Sequence, residues 1–268
     1  MITNNNNSKV YDIMASRQSR KILTGVLSAV ETYKNADGVE HDCAVVFYDV
    51  FKVLIPLKNM NISREDKRVV RSMIGAEIDF IVKEIDETHK IAAASRTEAM
   101  ELRKSLELKK HKVGNKIQVR VTSIGRDNCR VDCYGLETKV PIDEIDYGYI
   151  DDISKHVQIG DKVLAVIKEL DLGKNIIKVS IKDAKEDPYG HLIGSLTKGG
   201  EYLCTVTGIQ EYGVFFNIIN GVSCLCPFPN WTNFSPNIGE RYVVKIKAID
   251  HKNKKIDGNI MRAINQNR

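Results

Sequence analysis

Three stretches of this chain superimpose on one another without a gap: Gly75–Asp86, Gly160–Asp171 and Gly239–Asp250. In each, Gly precedes Asp by eleven residues, and a second run ends nine residues later, at Ser95, Ser180 and Asn259. An apolar-rich run, a polar turn after Asp and a short second run read as two strands joined by a turn. The Gly is expected at a positive-φ or close-approach position where the chain enters the strand. Repetition of this kind constrains the fold more than any composition figure, because one supersecondary unit must serve three times.

The pattern continues upstream of each Gly. A β-rich run ends at Val30, Ile124 and Ile209, and a short strand follows. A third strand ends in Ile55-Pro56, Val140-Pro141 and Cys226-Pro227. Proline there stops pairing, because it has no N–H to donate. The next Gly follows that Pro by 19, 19 and 12 positions, so this connection varies. In the first copy it holds Ser63–Ser72, with Ser63 as an expected N-cap three residues before Asp66. Each repeat therefore reads strand–strand–strand–turn or helix–strand–strand. Five short strands in so few residues fit the OB-fold, a partly open Greek-key barrel. The expected fold class is all-β: three tandem five-stranded OB-fold barrels at 18–97, 111–187 and 188–268. Residues 1–17 are expected to be a polar tail. Thr97–Lys110 has strong helix formers and a stripe of Met100, Leu102, Leu106 and Leu108, so 98–110 is expected to be a helical linker resting on a barrel. Asp183–Leu196, with Pro188, Gly190 and Gly194, reads as a loop.

Charge sharpens the division. The chain carries 40 Lys+Arg against 35 Asp+Glu, a net +5. Residues 188–268 hold 9 against 5, whereas 111–187 hold 13 against 14, so the excess positive charge lies mainly in the last third. That is compatible with nucleic acid. Six cysteines, at 43, 129, 133, 204, 224 and 226, include no Cys-x-x-Cys pair and read as small core residues in a reducing compartment. With no apolar run of membrane length and no apolar signal segment after Asn4–Asn7, the expected location is cytoplasmic, without a membrane partner.

Several segments resemble a known family. Ala92–Met100 looks like the strand-to-helix junction between repeats of the bacterial small-subunit ribosomal protein S-one, and Val206–Ile218 looks like its second-strand signature. The Gly-to-Asp segments match its fourth strand in all three repeats. The resemblance spans residues 20–264. It is specific at the level of the domain, which also occurs in ribonucleases, initiation factors and transcription factors. The chain is shorter than the usual ribosomal protein, as in a truncated, paralogous or phage-borne relative.

The resemblance implies that Tyr212 and Phe215 stand at the family's two base-stacking positions. Phe216 and Ile218 alternate inward as core. Phe228, Trp231 and Phe234 follow the third strand; for Trp231 and Phe234 both readings stand, platform or barrel filling. Lys245, Lys247 and Arg262 are the expected phosphate contacts. The family's usual His is Pro227 here. In the middle repeat Asp127 and Arg130 replace the aromatics. Arg130 can still stack on a base or meet a phosphate, while Asp143, Glu144, Asp146, Asp151 and Asp152 oppose a phosphate backbone. Tyr147 and Tyr149 are ambiguous. In the first repeat Ala44 takes the second aromatic position, and Arg64, Lys67, Arg68 and Arg71 share a helix face. The resemblance implies that the first two repeats are protein-docking modules.

No phosphate loop, His-Glu-x-x-His or Gly-x-Ser-x-Gly motif occurs, and six histidines sit in polar turns. The expectation is a non-catalytic, translation-associated protein that binds single-stranded RNA as a monomer, with no cofactor and no metal. The alternative is an adaptor whose barrels dock on the ribosome or another protein.

Overall fold

The computed structural model describes residues 4–34, 38–62, 66–188, 190, 193–219, 221–231, 234–251 and 254–264. Its contacts divide the chain into two compact units, Met1–Pro141 with Val157–Ser180 and Ile142–His156 with Ile181–Arg268.

In the larger unit, β1 (Leu23–Lys34), β2 (Glu40–Tyr48), β3 (Phe51–Pro56), β4 (Glu77–Asp86) and β5 (Ile91–Ser95) close into a barrel in the order β1-β2-β3-β5-β4. Leu27, Val46, Phe51, Ile55, Ile78 and Phe80 fill its core. Strand alternation makes this possible: inward residues recur every second position while their neighbours face out. The second sheet comprises β6 (Lys116–Ile124), β7 (Asn128–Asp132), β8 (Glu137–Pro141), β9 (Lys162–Asp171) and β10 (Ile176–Ser180). Here the expected barrel differs from the structure. The order is β10-β9-β6-β7-β8, an open five-stranded sheet in which β8 and β10 lie together without a ladder. The seam in question is parallel. In the two closed barrels it holds by three residue pairs and by two. A parallel seam that short is the least stable join of such a barrel, so it is where closure is lost first.

Two helices depart from expectation. In place of the tail expected over 1–17, α1 spans Asn4–Ser19 and runs two residues into the stretch expected as barrel. Asparagine is a poor helix former, so docking and not propensity sustains it. Ile13 enters the barrel core, and Ser16 Oγ accepts the Val82 N–H of β4 at 2.9 Å. In the linker, α3 (Arg96–Leu106) is capped by Ser95, whose hydroxyl accepts the Glu98 N–H. Of the expected apolar stripe, Met100 and Leu108 are buried but Leu106 is exposed. Ala99 and Arg96 complete the buried face instead. The Arg96 guanidinium donates to the Met60 carbonyl at 2.8 Å and to Glu137 at 2.7 Å. The short α2 (Lys67–Arg71) is capped by Asp66; Ser63 and Arg64 lie outside the described residues. Lys67 pairs with Asp42 at 2.6 Å and Arg68 with Asp66 at 2.9 Å.

Behind α3 sits a buried ionic cluster within this unit. Arg120 of β6 donates to both carboxylate oxygens of Asp79, at 2.8 and 2.5 Å, and to Asp132 at 2.5 Å. Arg103 and Thr24 also donate to Asp79. Burial opposes the charge on Asp79, yet the Arg120 hydrogen bonds and the neighbouring guanidinium charges outweigh it and lower its pKa to about 2.

In the smaller unit, β11 (Glu201–Gln210), β12 (Gly213–Ile219), β13 (Val222–Cys226), β14 (Arg241–Asp250) and β15 (Lys255–Ala263) close in the order β11-β12-β13-β15-β14. Gly75, Gly160 and Gly239 all take positive φ, at 96°, 91° and 89°, as their shared place in the repeat requires. All six cysteines are buried and free. No helix among the described residues is long and apolar enough to cross a membrane.

Candidate nucleic-acid interface

The outer surface of the third-repeat barrel follows from strand alternation on β12. Val214, Phe216 and Ile218 are buried, so Phe215 and Asn217 face out. Tyr212 stands in the two-residue turn before β12 and is 66% exposed. Its ring meets that of Phe215 edge-on, with centroids 6.1 Å apart. Tyr212, Leu225, Pro227, Lys247 and Asp257 line one shallow cleft. The structure thus brings Tyr212 and Lys247 together, where a stacked base and its phosphate would lie close. Lys245 is exposed on the same strand but opposite Glu201 and Asn259. Arg262 is exposed at the far end of β15, opposite Val243, and does not line that cleft.

The loop after β13 carries a second aromatic group. Phe216 in the core meets Tyr242 at 5.7 Å, and Tyr242 meets Phe234 at 5.7 Å. Phe234 in turn meets Trp231 at 5.5 Å and Phe228 at 6.2 Å. The two readings of these rings separate. Phe234 packs against the barrel core. Trp231 and Phe228 rest on it with 41% and 42% of their surface exposed.

Phe215 is not free. The segment Ile142–His156 belongs to the same compact unit, and its Tyr149 ring lies over Phe215 at 4.5 Å, 15° from parallel. Gln210 donates to the Tyr149 hydroxyl at 2.6 Å, and the Tyr149 N–H donates to Ser223 Oγ at 3.1 Å. The ring also packs close on Gly208: a Cβ there would come within 2.0 Å of it. Three of the five acidic residues of this segment pair with lysines, Glu144 among them, 3.3 Å from Lys182. Asp146 pairs with Lys185 at 2.6 Å and Asp151 with Lys155 at 2.6 Å. Burial raises the Asp146 pKa, but the Lys185 hydrogen bond outweighs it and the net shift is downward. Sequence reasoning did not find the roles of Tyr149, Gln210 and Ser223. Tyr149 and Gln210 are 61 residues apart, and no local spacing links them.

Arg130, on β7 of the other unit, lies 3.9 Å from Glu137, the carboxylate that also takes Arg96. No cluster of three or more His, Cys, Asp or Glu able to hold a metal occurs among the described residues.

Residues 110–182 match the S1 RNA binding domain. The matched stretch contains β6 to β10, the middle copy of the repeat. Small ribosomal subunit protein bS1 of Mycobacterium tuberculosis H37Rv is 25% identical over 208 residues, 73% of this chain and 43% of that protein. A 4-hydroxy-3-methylbut-2-enyl diphosphate reductase of Fusobacterium nucleatum is 30% identical over 144 residues, 52% of this chain and 17% of that protein. The chain thus spans less than half the length of either curated relative. Among solved structures, the a/eIF2alpha-aDim2p-rRNA complex of Pyrococcus horikoshii overlaps 31% of this chain and 52% of that one, at 18% identity and TM-score 0.27.

Proposed function

We propose that this chain binds single-stranded RNA without catalysing a reaction on it, in a translation-related role, through three tandem five-stranded OB-type units, two of them closed barrels. The binding surface is assigned to the third repeat, with Tyr212, Phe215, Phe228 and Trp231 as stacking rings and Lys245, Lys247 and Arg262 as phosphate contacts. One observation carries this reading: a 66%-exposed Tyr212 shares a cleft with Lys247 on a barrel rich in positive charge. An exposed ring beside a cation is what sequence-tolerant single-strand binding needs, since every base has a π-face and every nucleotide a phosphate. The S1 match to residues 110–182 and the likeness to bS1 support it.

The test is a salt titration of the full chain with a fluorescein-labelled oligoadenylate, read by anisotropy. Affinity should fall linearly on a log–log plot as salt rises, at about −0.7 per phosphate contact. No binding even at low salt overturns the reading.

Docking on a ribosomal or other ribonucleoprotein partner is the second reading, for the larger unit. Its Arg96, Arg103, Arg120 and Arg130 are turned to Asp79, Asp132 and Glu137. Cosedimentation with small ribosomal subunits that survives substitution of Tyr212 and Lys247 would favour it.

A further inference from the structure

We propose that Tyr149 is an internal plug: its ring fills a single-nucleobase subsite on the third-repeat barrel, and an incoming base displaces it. This rests on the RNA-binding reading above.

The observations come from what Tyr149 touches. A nucleobase bound on a barrel of this kind needs an aromatic floor, a wall free of side chains and a polar group for its edge. Phe215 gives the floor, stacked at 4.5 Å and 15°. Gly208 gives the wall, since any Cβ there would meet the ring. Gln210 gives the edge contact, donating at 2.6 Å to the Tyr149 hydroxyl. A base placing a carbonyl oxygen or ring nitrogen where that hydroxyl sits would accept the same hydrogen bond. Tyr149 therefore copies a bound base in ring, plane and polar edge. Beside it, a cleft of about 360 Å³ lined by Tyr149, Thr207, Asn217 and Ser223 leads into the subsite.

The energetics allow exchange. An aromatic pair of this geometry is worth about twofold to twelvefold in an equilibrium constant. A base stacked on a ring is worth about fivefold to 150-fold, so RNA can win the place. Charge helps it. The plug segment carries Asp143, Glu144, Asp146, Asp151 and Asp152, which repel the phosphates that arrive with a base. The ion pair that ties it to the chain beyond it, Asp146–Lys185, is partly exposed to solvent, where such pairs hold weakly.

The experiment compares the full-length wild type with Tyr149→Ala and Tyr149→Phe, titrated with the labelled oligoadenylate. Removing the plug should tighten binding by about threefold to tenfold with the salt slope unchanged, because no phosphate contact is altered. Tyr149→Phe keeps the stack and folds as the wild type does; losing only the Gln210 bond, it should tighten binding about twofold. Fluorotyrosine at position 149 gives an independent readout in an otherwise native chain. RNA should move its fluorine resonance from the stacked to the solvent-exposed value. If the wild type binds RNA and Tyr149→Ala binds equally or more weakly, Tyr149 is a fixed part of the platform and the plug is overturned, while the RNA reading stands. A resonance that keeps its stacked value in the RNA complex overturns the plug in the same way. If wild type and both variants fail to bind RNA at low salt, the RNA reading itself falls.

Discussion

Neighbouring rings on β12 differ sharply in what they do. Phe216 is fully buried in the barrel, Phe215 lies under Tyr149, and Tyr212 in the preceding turn is 66% exposed. Truncation should therefore separate them. Tyr212→Ala should leave the thermal midpoint near wild type, since an exposed side chain contributes within about 0.5 kcal/mol. It should weaken RNA binding by about 1–3 kcal/mol, the worth of one stacked base. Phe216→Ala should cost about 3–5 kcal/mol of stability, because it leaves a cavity in a packed core. Melts and binding isotherms on the same two samples decide it. If Tyr212→Ala melts early, its ring is structural and the platform assignment fails. The inward places of Phe216 and Ile218 were legible from alternation alone. The cover over Phe215 was not, because it comes from a segment remote in sequence.

Strands and helices set which side chains share a surface. Lys245 and Lys247 point outward two residues apart on β14, and sequence assigns them the same role. The structure distinguishes them: Lys247 lines the Tyr212 cleft, and Lys245 stands opposite Glu201. Lys247→Ala should weaken RNA binding and flatten the salt slope by about 0.7, the value for one lost contact to a single strand. Lys245→Ala should change the slope less. Equal slopes for the two variants would place both lysines on the phosphate path. Helices were less legible than strands. The linker helix was read from composition, but its buried face includes Arg96, which no apolar stripe reveals. That guanidinium is tolerable inside only because Met60 and Glu137 receive it.

At the scale of the whole molecule, the Asp79–Arg120–Asp132 cluster couples stability to pH. Asp79 titrates at about 2 in the folded chain, against 3.8 for a free side chain. A depressed carboxylate pKa stabilises the folded state above the unfolded value, and that stability is lost as pH falls toward the folded one. The contribution is about 2 kcal/mol, lost between about pH 4 and pH 2. Urea midpoints measured down that range should fall accordingly. In Asp79→Asn the curve should start lower above about pH 4, lose that part of its slope and approach wild type as pH nears 2. An unchanged slope would mean that other carboxylates govern acid unfolding.

What the sequence determined is what is local and periodic. The thrice-repeated Gly-to-Asp segment and the repeated pattern upstream of it together placed the five strands of each copy, and the three glycines that open those segments take positive φ. Alternation on β12 placed Phe216 and Ile218 inward, and residue type alone marked the six cysteines as buried. Contacts between distant segments were decided only by the tertiary structure. An asparagine-rich N-terminus became a helix because Ile13 found a core to enter. The middle sheet stayed open at the β8/β10 seam, while the equivalent parallel seam, of three and two residue pairs, closes the other two. Tyr149 became the partner of Phe215, Gly208 and Gln210 because its segment packs in the compact unit of the third repeat. The physical reason is common to all three. Strand periodicity is written in neighbouring residues, but a docked ring or a closed seam depends on whether two surfaces far apart in the chain fit, and no short window of sequence contains both.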